Sequence, residues 1–156
     1  MHEAGSQRLL PRLSAALAGI WLGGLLTLGA VVAPTAFALF ERAVAGRLAG
    51  ACFRVEAHLA LAFAVALFVM ERYLARQRAQ AAGGSLLSAN MLLALGALFC
   101  TVVGYFALQP MMEAARLGQP GAVSFGLLHG VSSALYALKG LLVAMLFWRA
   151  LSRRAA

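Results

Sequence analysis

Two histidines, His58 and His129, are the side chains in this sequence best suited to chemistry, and each stands inside a long apolar stretch. Imidazole nitrogens ligate copper and serve as axial ligands to haem, so two of them at one level would grip a metal or a haem from both sides. Their neighbours could complete such a site. Arg54 precedes His58 by one helical turn and shares its face, whereas Glu56 points almost opposite. Tyr105 and Gln109 lie one turn apart on another segment. His129, Ser133 and Tyr136 make a polar stripe at i, i+4 and i+7, and Met111 and Met112 are soft donors suited to Cu(I). Cys52 and Cys100 form no C-x-x-C, so they supply neither a metal clip nor a redox couple, and Cys100 reads as a packing residue.

The same side chains admit two other readings. Histidine, serine, tyrosine and glutamine hydrogen-bond across membrane helices and hold a bundle together without any ligand. They could equally line a polar pocket for a small ligand or a proton path. Lys139 stands out because it lies nine residues before Trp148, far from either end of an apolar run. It is expected to snorkel to the surface along its aliphatic stem. The alternatives are a helix that ends near Gly140 and a lysine that turns inward beside Tyr136.

These residues must be positioned by elements that live in lipid. Of the 156 residues, 63% are hydrophobic and only 12% are charged. A soluble domain carries about 25% charged residues, so a water-soluble globule is excluded, as is a disordered chain. Four stretches can cross a bilayer core, which takes about 20 helical residues. They are read at about 13–40, 48–70, 86–112 and 121–148, in one transmembrane domain over residues 1–156. Unalternating Ala/Leu/Val/Phe runs are helices and not barrel strands. The expected fold is all-α, an integral membrane four-helix bundle of two helical hairpins. The first run is too long for a signal sequence and reads as a retained anchor.

The net charge of +8 falls on the flanks of the apolar runs and not in one patch. That pattern suits anionic headgroups and excludes nucleic acid as a partner. Eight arginines (Arg8, Arg12, Arg72, Arg76, Arg78, Arg149, Arg153 and Arg154) lie on one side and four (Arg42, Arg47, Arg54 and Arg116) on the other. The positive-inside rule then puts both termini in the cytoplasm of a multi-pass inner (plasma) membrane protein. Glu41, Arg42 and Arg47 suggest a short amphipathic segment at the outer interface, and residues 77–88 suggest a flexible linker.

Small residues four apart mark close helix contacts. Such rows are Ala15, Gly19, Gly23 and Thr27; Gly96, Cys100 and Gly104; and Gly126, Gly130 and Ala134. Pro34 and Pro110, each followed by an acid–base pair and then a histidine on the returning helix, hint at a duplicated hairpin. With the first and third spans running outward, His58, His129, Tyr105, Gln109, Arg54 and Glu56 fall in one outer layer. No phosphate loop, HExxH, nucleophile elbow or acidic pair is present, and Asp is absent, so a non-enzymatic role is expected.

Several motifs resemble one family. They are Gly19-x-Trp21-Leu22-Gly23 with Val32-Ala33-Pro34 before Phe37, Phe53-Arg54-Val55-Glu56, Leu108-Gln109-Pro110-Met111-Met112, and Phe125-Gly-Leu-Leu-His129-Gly-Val-Ser-Ser133. The chain is similar in these to the uncharacterised membrane family that includes animal transmembrane protein 205. More distantly it resembles the copper-resistance D and HemJ-type families. The resemblance implies a four-helix membrane protein, and the distant kinship implies copper or haem near intramembrane histidines. The functional expectation is thus a membrane protein that binds a metal, haem or small ligand at an outer-leaflet polar site. The alternatives are a structural or accessory subunit, as a homo-oligomer or on a larger membrane partner, and a haem-dependent oxidoreductase.

Overall fold

The computed structural model describes residues 2–119 and 123–152. It is all-α, with no strand among the described residues, and four of its helices are long and apolar enough to cross a membrane. We label them in chain order. α1 comprises His2–Leu26, a π-helical stretch Thr27–Val32, and Ala33–Leu39. α2 is Arg42–Ala82. α3 comprises Ala89–Thr101, a second π-helical stretch Val102–Ala107, and Leu108–Arg116. α4 is Phe125–Ser152. Each helix packs closely on the next, and α4 closes back onto α1, giving a four-membered ring with α2 and α4 on one diagonal.

The bundle is greasy outside and small-residued inside. Leu141 and Trp148 are 68% and 71% exposed, and an apolar coat of this kind is stable only against acyl chains. This is a multi-pass membrane protein. Lipid gives no hydrophobic drive between helices, so association rests on close contact. The core accordingly uses Ala18, Ala60, Ala64, Ala94 and Ala97, with Trp21 stacked on Phe63 at 5.8 Å filling the wider gap.

Several boundaries differ from those read in the sequence. α2 is 41 residues long, roughly 60 Å at 1.5 Å per residue, far beyond the apolar run at 48–70. Charged residues mark where the bilayer ends, not where a helix does. Arg42 and Arg47 therefore belong to α2 itself and not to a separate interfacial segment. The expected linker at 77–88 shrinks to residues 83–88, because the helix continues until Gly83, whose φ of +71° ends it. α4 likewise runs unbroken through Gly140; residues 121 and 122, where its span was expected to begin, lie outside the described residues.

Of the three small-residue rows, Gly96, Cys100 and Gly104 face inward as expected. A Cβ on Gly96 would stand 3.1 Å from Leu142, and one on Gly104 would stand 3.1 Å from Leu135. On α1 only Ala15 and Gly19 are packed, while Gly23 and Thr27 are exposed. The row Gly126, Gly130 and Ala134 lies entirely on the exposed surface of α4. The inward stripe of α4 is instead Leu128, Ser132, Leu135, Lys139, Val143 and Leu146, on the opposite side of the helix.

The two π-helical stretches have a common cause. A proline lacks the N–H that would serve the carbonyl one turn back, and its ring crowds that carbonyl. Ahead of Pro34 and Pro110 the ladder widens to i→i+5: Ala33 N–H donates to Leu28 O, and Leu108 N–H reaches Val103 O. α1 and α3 therefore carry the same irregularity, each just ahead of a proline.

Candidate functional site

The centre of the bundle holds an ion pair. Lys139 Nζ donates to both carboxylate oxygens of Glu56, at 2.9 and 2.8 Å, across the α2–α4 diagonal. Their side chains are only 4% and 12% exposed. Lys139 stands midway along α4, roughly 20 Å from each end at the helical rise, so the pair sits near the bilayer midplane. The ammonium also lies 4.8 Å from the centroid of the Tyr136 ring, one turn away on the same stripe. Two N–H groups thus meet carboxylate oxygens and the cation rests on a π-face, which is what a buried charge needs to be tolerated.

Tyr136 links this pair to the other helices. Its hydroxyl donates to Leu25 O at 2.8 Å, just ahead of the first π-helical stretch, and its ring meets the edge of Phe53 at 5.2 Å. Gly29, inside that stretch, is where the ring fits: a Cβ there would stand 2.9 Å from Tyr136 Cε1. The second stretch is served similarly, as Ser132 Oγ donates to Gly104 O at 2.7 Å. One helix, α4, therefore supplies a hydroxyl to each of the two widened ladders and the cation to the centre.

The expected snorkelling of Lys139 is overturned. A carboxylate on the facing helix and the length of α4 on both sides make the inward position the cheaper one. Glu56 points away from Arg54 and His58, as its register requires, and that places it inward while those two face out.

The histidines are not brought to a common site. His58 is exposed; its Nδ1 lies 2.7 Å from Arg54 O on its own helix, and its ring stands edge-on to Phe106 at 5.3 Å. His129 is exposed and stacks on Phe125 at 5.7 Å, and Phe125 in turn lies under Arg116 at 4.9 Å. Tyr105 joins the His58 side through Phe106 at 5.2 Å, and Gln109 is half-buried. Ser133 and Arg54 are exposed. Met112 is buried and Met111 exposed, so they do not act as a pair. Among the described residues no group of three or more His, Cys, Asp or Glu is arranged to hold a metal. A copper or haem gripped between His58 and His129 does not fit two rings that face outward on different helices.

A second polar layer lies toward the basic end. Ser14 Oγ donates to buried Glu71 at 3.0 Å, Arg78 approaches the same carboxylate at 3.9 Å, and Arg149 Nε donates to buried Asn90 at 2.9 Å.

The family model described as a domain of unknown function, DUF4149, matches residues 16–119. The chain belongs to this family. No curated protein and no solved structure matches it. The DUF4149 match contains Glu56, Phe53 and both π-helical stretches. Lys139, Tyr136 and Ser132 come from α4, beyond the matched residues.

Sequence reasoning singled out Glu56, Lys139 and Tyr136 and set Lys139 beside Tyr136 as one alternative, but it joined neither to Glu56, and it missed Ser132 and Phe53. The available signal was register. Ser132, Leu135, Lys139, Val143 and Leu146 recur at three and four residues, a stripe that leaves Leu138 and Leu141 to the lipid.

Proposed function

We propose that this DUF4149 protein moves protons across the cytoplasmic membrane through the Glu56–Lys139 pair, with its arginine-rich end in the cytoplasm. The observation that carries the reading is the pair itself: carboxylate and ammonium in direct contact at the midplane, flanked by two π-helical stretches. A buried ion pair gives little net stability over well-packed apolar side chains. Ionisable groups at this depth belong to relays and pathways in membrane proteins. Widened or broken helices around a site between two repeats are what moving bundles use.

The cycle balances with the chain's own groups. A proton from one side neutralises Glu56, the Lys139 ammonium releases its proton to the other side, and transfer from the Glu56 carboxyl to the Lys139 amine restores the pair. One proton has crossed, and no co-reactant is needed. The test is proton uptake by proteoliposomes holding a trapped pH dye, driven by a potassium diffusion potential. The wild type should exceed protein-free liposomes, and E56Q and K139M should abolish the difference. Wild-type flux no greater than that of empty liposomes, or undiminished flux in both variants, overturns the reading.

The exposed face of α4 supports a second role. Gly126, His129, Gly130, Ser133 and Ala134 together make a small and polar surface, and such surfaces in membranes pack against another helix. This reading makes the protein a subunit that docks through α4 onto a second copy. It predicts a dimer in mild detergent that G130I converts to monomer, and a wild type that is already monomeric removes it.

A further inference from the structure

We propose that a groove at the arginine-rich end of the bundle binds the phosphate headgroup of an anionic glycerophospholipid. The groove has a volume of about 200 Å³ and is lined by Arg72, Arg76, Leu86, Leu87 and Met91. Arg72 and Arg76 are one turn apart on α2, both exposed, and among the described residues neither forms a salt bridge. Glu71, their neighbour in sequence, faces inward onto Ser14 and Arg78. Two guanidinium groups so placed present forked donors that match a phosphate diester.

Depth assigns the ligand to the bilayer. Arg72 lies about 24 Å along α2 from the midplane Glu56 at the helical rise. The hydrocarbon half-thickness is about 15 Å and the headgroup region extends to roughly 22 Å. Arg72 therefore stands at the outer edge of the headgroups and Arg76, about 6 Å further along α2, just beyond it. From there both long side chains reach back to a phosphate. Met91, near the start of α3, is buried and lines the apolar side of the groove.

The apolar half is built and not incidental. Leu86 and Leu87 are 58% and 55% exposed. They are held by a loop of fixed shape: Gly83 and Gly84 have φ of +71° and +117°, Ser85 Oγ accepts the Leu87 N–H at 3.0 Å, and Ser88 caps α3 through the Met91 N–H at 3.3 Å. A free phosphate would use the arginines alone. The leucines and the methionine beside them match an amphiphile, with its charge on the arginines and its chains on the apolar wall.

The proposal is tested with the full chain in detergent by native mass spectrometry, using dioctanoyl phosphatidylglycerol, dioctanoyl phosphatidylcholine and inorganic phosphate as probes. Phosphatidylglycerol should be retained in preference to phosphatidylcholine. R72Q/R76Q should weaken it about 25-fold, at about fivefold per arginine, while R72K/R76K, which keeps the charge and loses the forked donors, should fall between that variant and the wild type. L86S/L87S should weaken the lipid and leave phosphate unchanged. Equal retention of the two lipids by the wild type overturns the proposal, whether or not the glutamine variant folds. So does unchanged phosphatidylglycerol binding in R72Q/R76Q. Inorganic phosphate binding as tightly as the lipid would assign the groove to a free anion instead.

Discussion

Two glutamates on α2 turn into the bundle, and their surroundings differ in one respect that matters. Glu71 shares its carboxylate between Ser14 and Arg78, and the Arg78 side chain is 52% exposed. Its charge is connected to the headgroup region through a residue that reaches it. Among the described residues Glu56 pairs with Lys139 alone, held at 2.8 Å with both side chains closed off. The same residue type thus serves as an anchor at the end of the rod and as a sealed charge in its middle. Desolvation separates the two: the energy of a pair rises as the local dielectric falls, and so does the penalty for leaving one member unpaired.

The sharpest way to break that comparison is to remove one partner at the centre. K139M leaves the Glu56 carboxylate buried and unpaired, a change expected to cost about 3–5 kcal/mol. E56L/K139M removes both charges and should recover most of that loss, since an apolar replacement of a buried pair is often neutral or better. Thermal unfolding in detergent reads both. At the end layer, E71Q keeps a hydrogen-bond acceptor for Ser14, and the Arg78 guanidinium it releases is half exposed, where water can solvate it. Its cost should be about 1 kcal/mol. Equal losses for K139M and E71Q would erase the distinction between the two regions.

The next effect tests how the centre is held by its neighbours. G29A places a methyl 2.9 Å from Tyr136 Cε1, inside the packed side of α1. The ring must shift, which takes its hydroxyl off Leu25 O and its face off Lys139. Overpacking of this kind costs about 1–3 kcal/mol. G23A, on the open face of the same helix, has nothing within 4 Å of the new methyl and should be near neutral. A loss from G23A equal to that from G29A would show that glycine acts through the backbone and not through the tyrosine socket.

The fold was legible because bilayer thickness and apolar runs are linked directly: four spans, short connections and a basic end follow from lengths and charges alone. Helix ends were less legible, since Arg42, Arg47 and Gln77 to Gln80 are compatible with helix in water and leave no mark where α2 passes out of the lipid. The site was half legible. Glu56, Lys139 and Tyr136 drew notice as polar residues in apolar runs. Their union depends on α2 and α4 being diagonal across the ring, a fact of packing that no local spacing carries. The π-helical stretches were hidden likewise, although Pro34 and Pro110 were seen. A proline signals distortion, and only the packed structure tells whether the ladder kinks or widens.

The smallest predicted effects belong to the residues that first suggested chemistry. H58A removes a ring whose Nδ1 meets a carbonyl of its own helix and whose edge meets Phe106. H129A removes a ring stacked on Phe125. Both rings are exposed on the bundle, where substitutions away from special features lie within about 0.5 kcal/mol. Thermal stability in detergent should therefore stay near that of the wild type for each variant and for the double variant. The double variant is the more informative, because residues with no shared partner add. A coupled loss, larger than the sum of the single ones, would mean that the two imidazoles meet at a common ligand or across a helix–helix interface. It would move the functional centre from the sealed pair outward to the surface of α2 and α4.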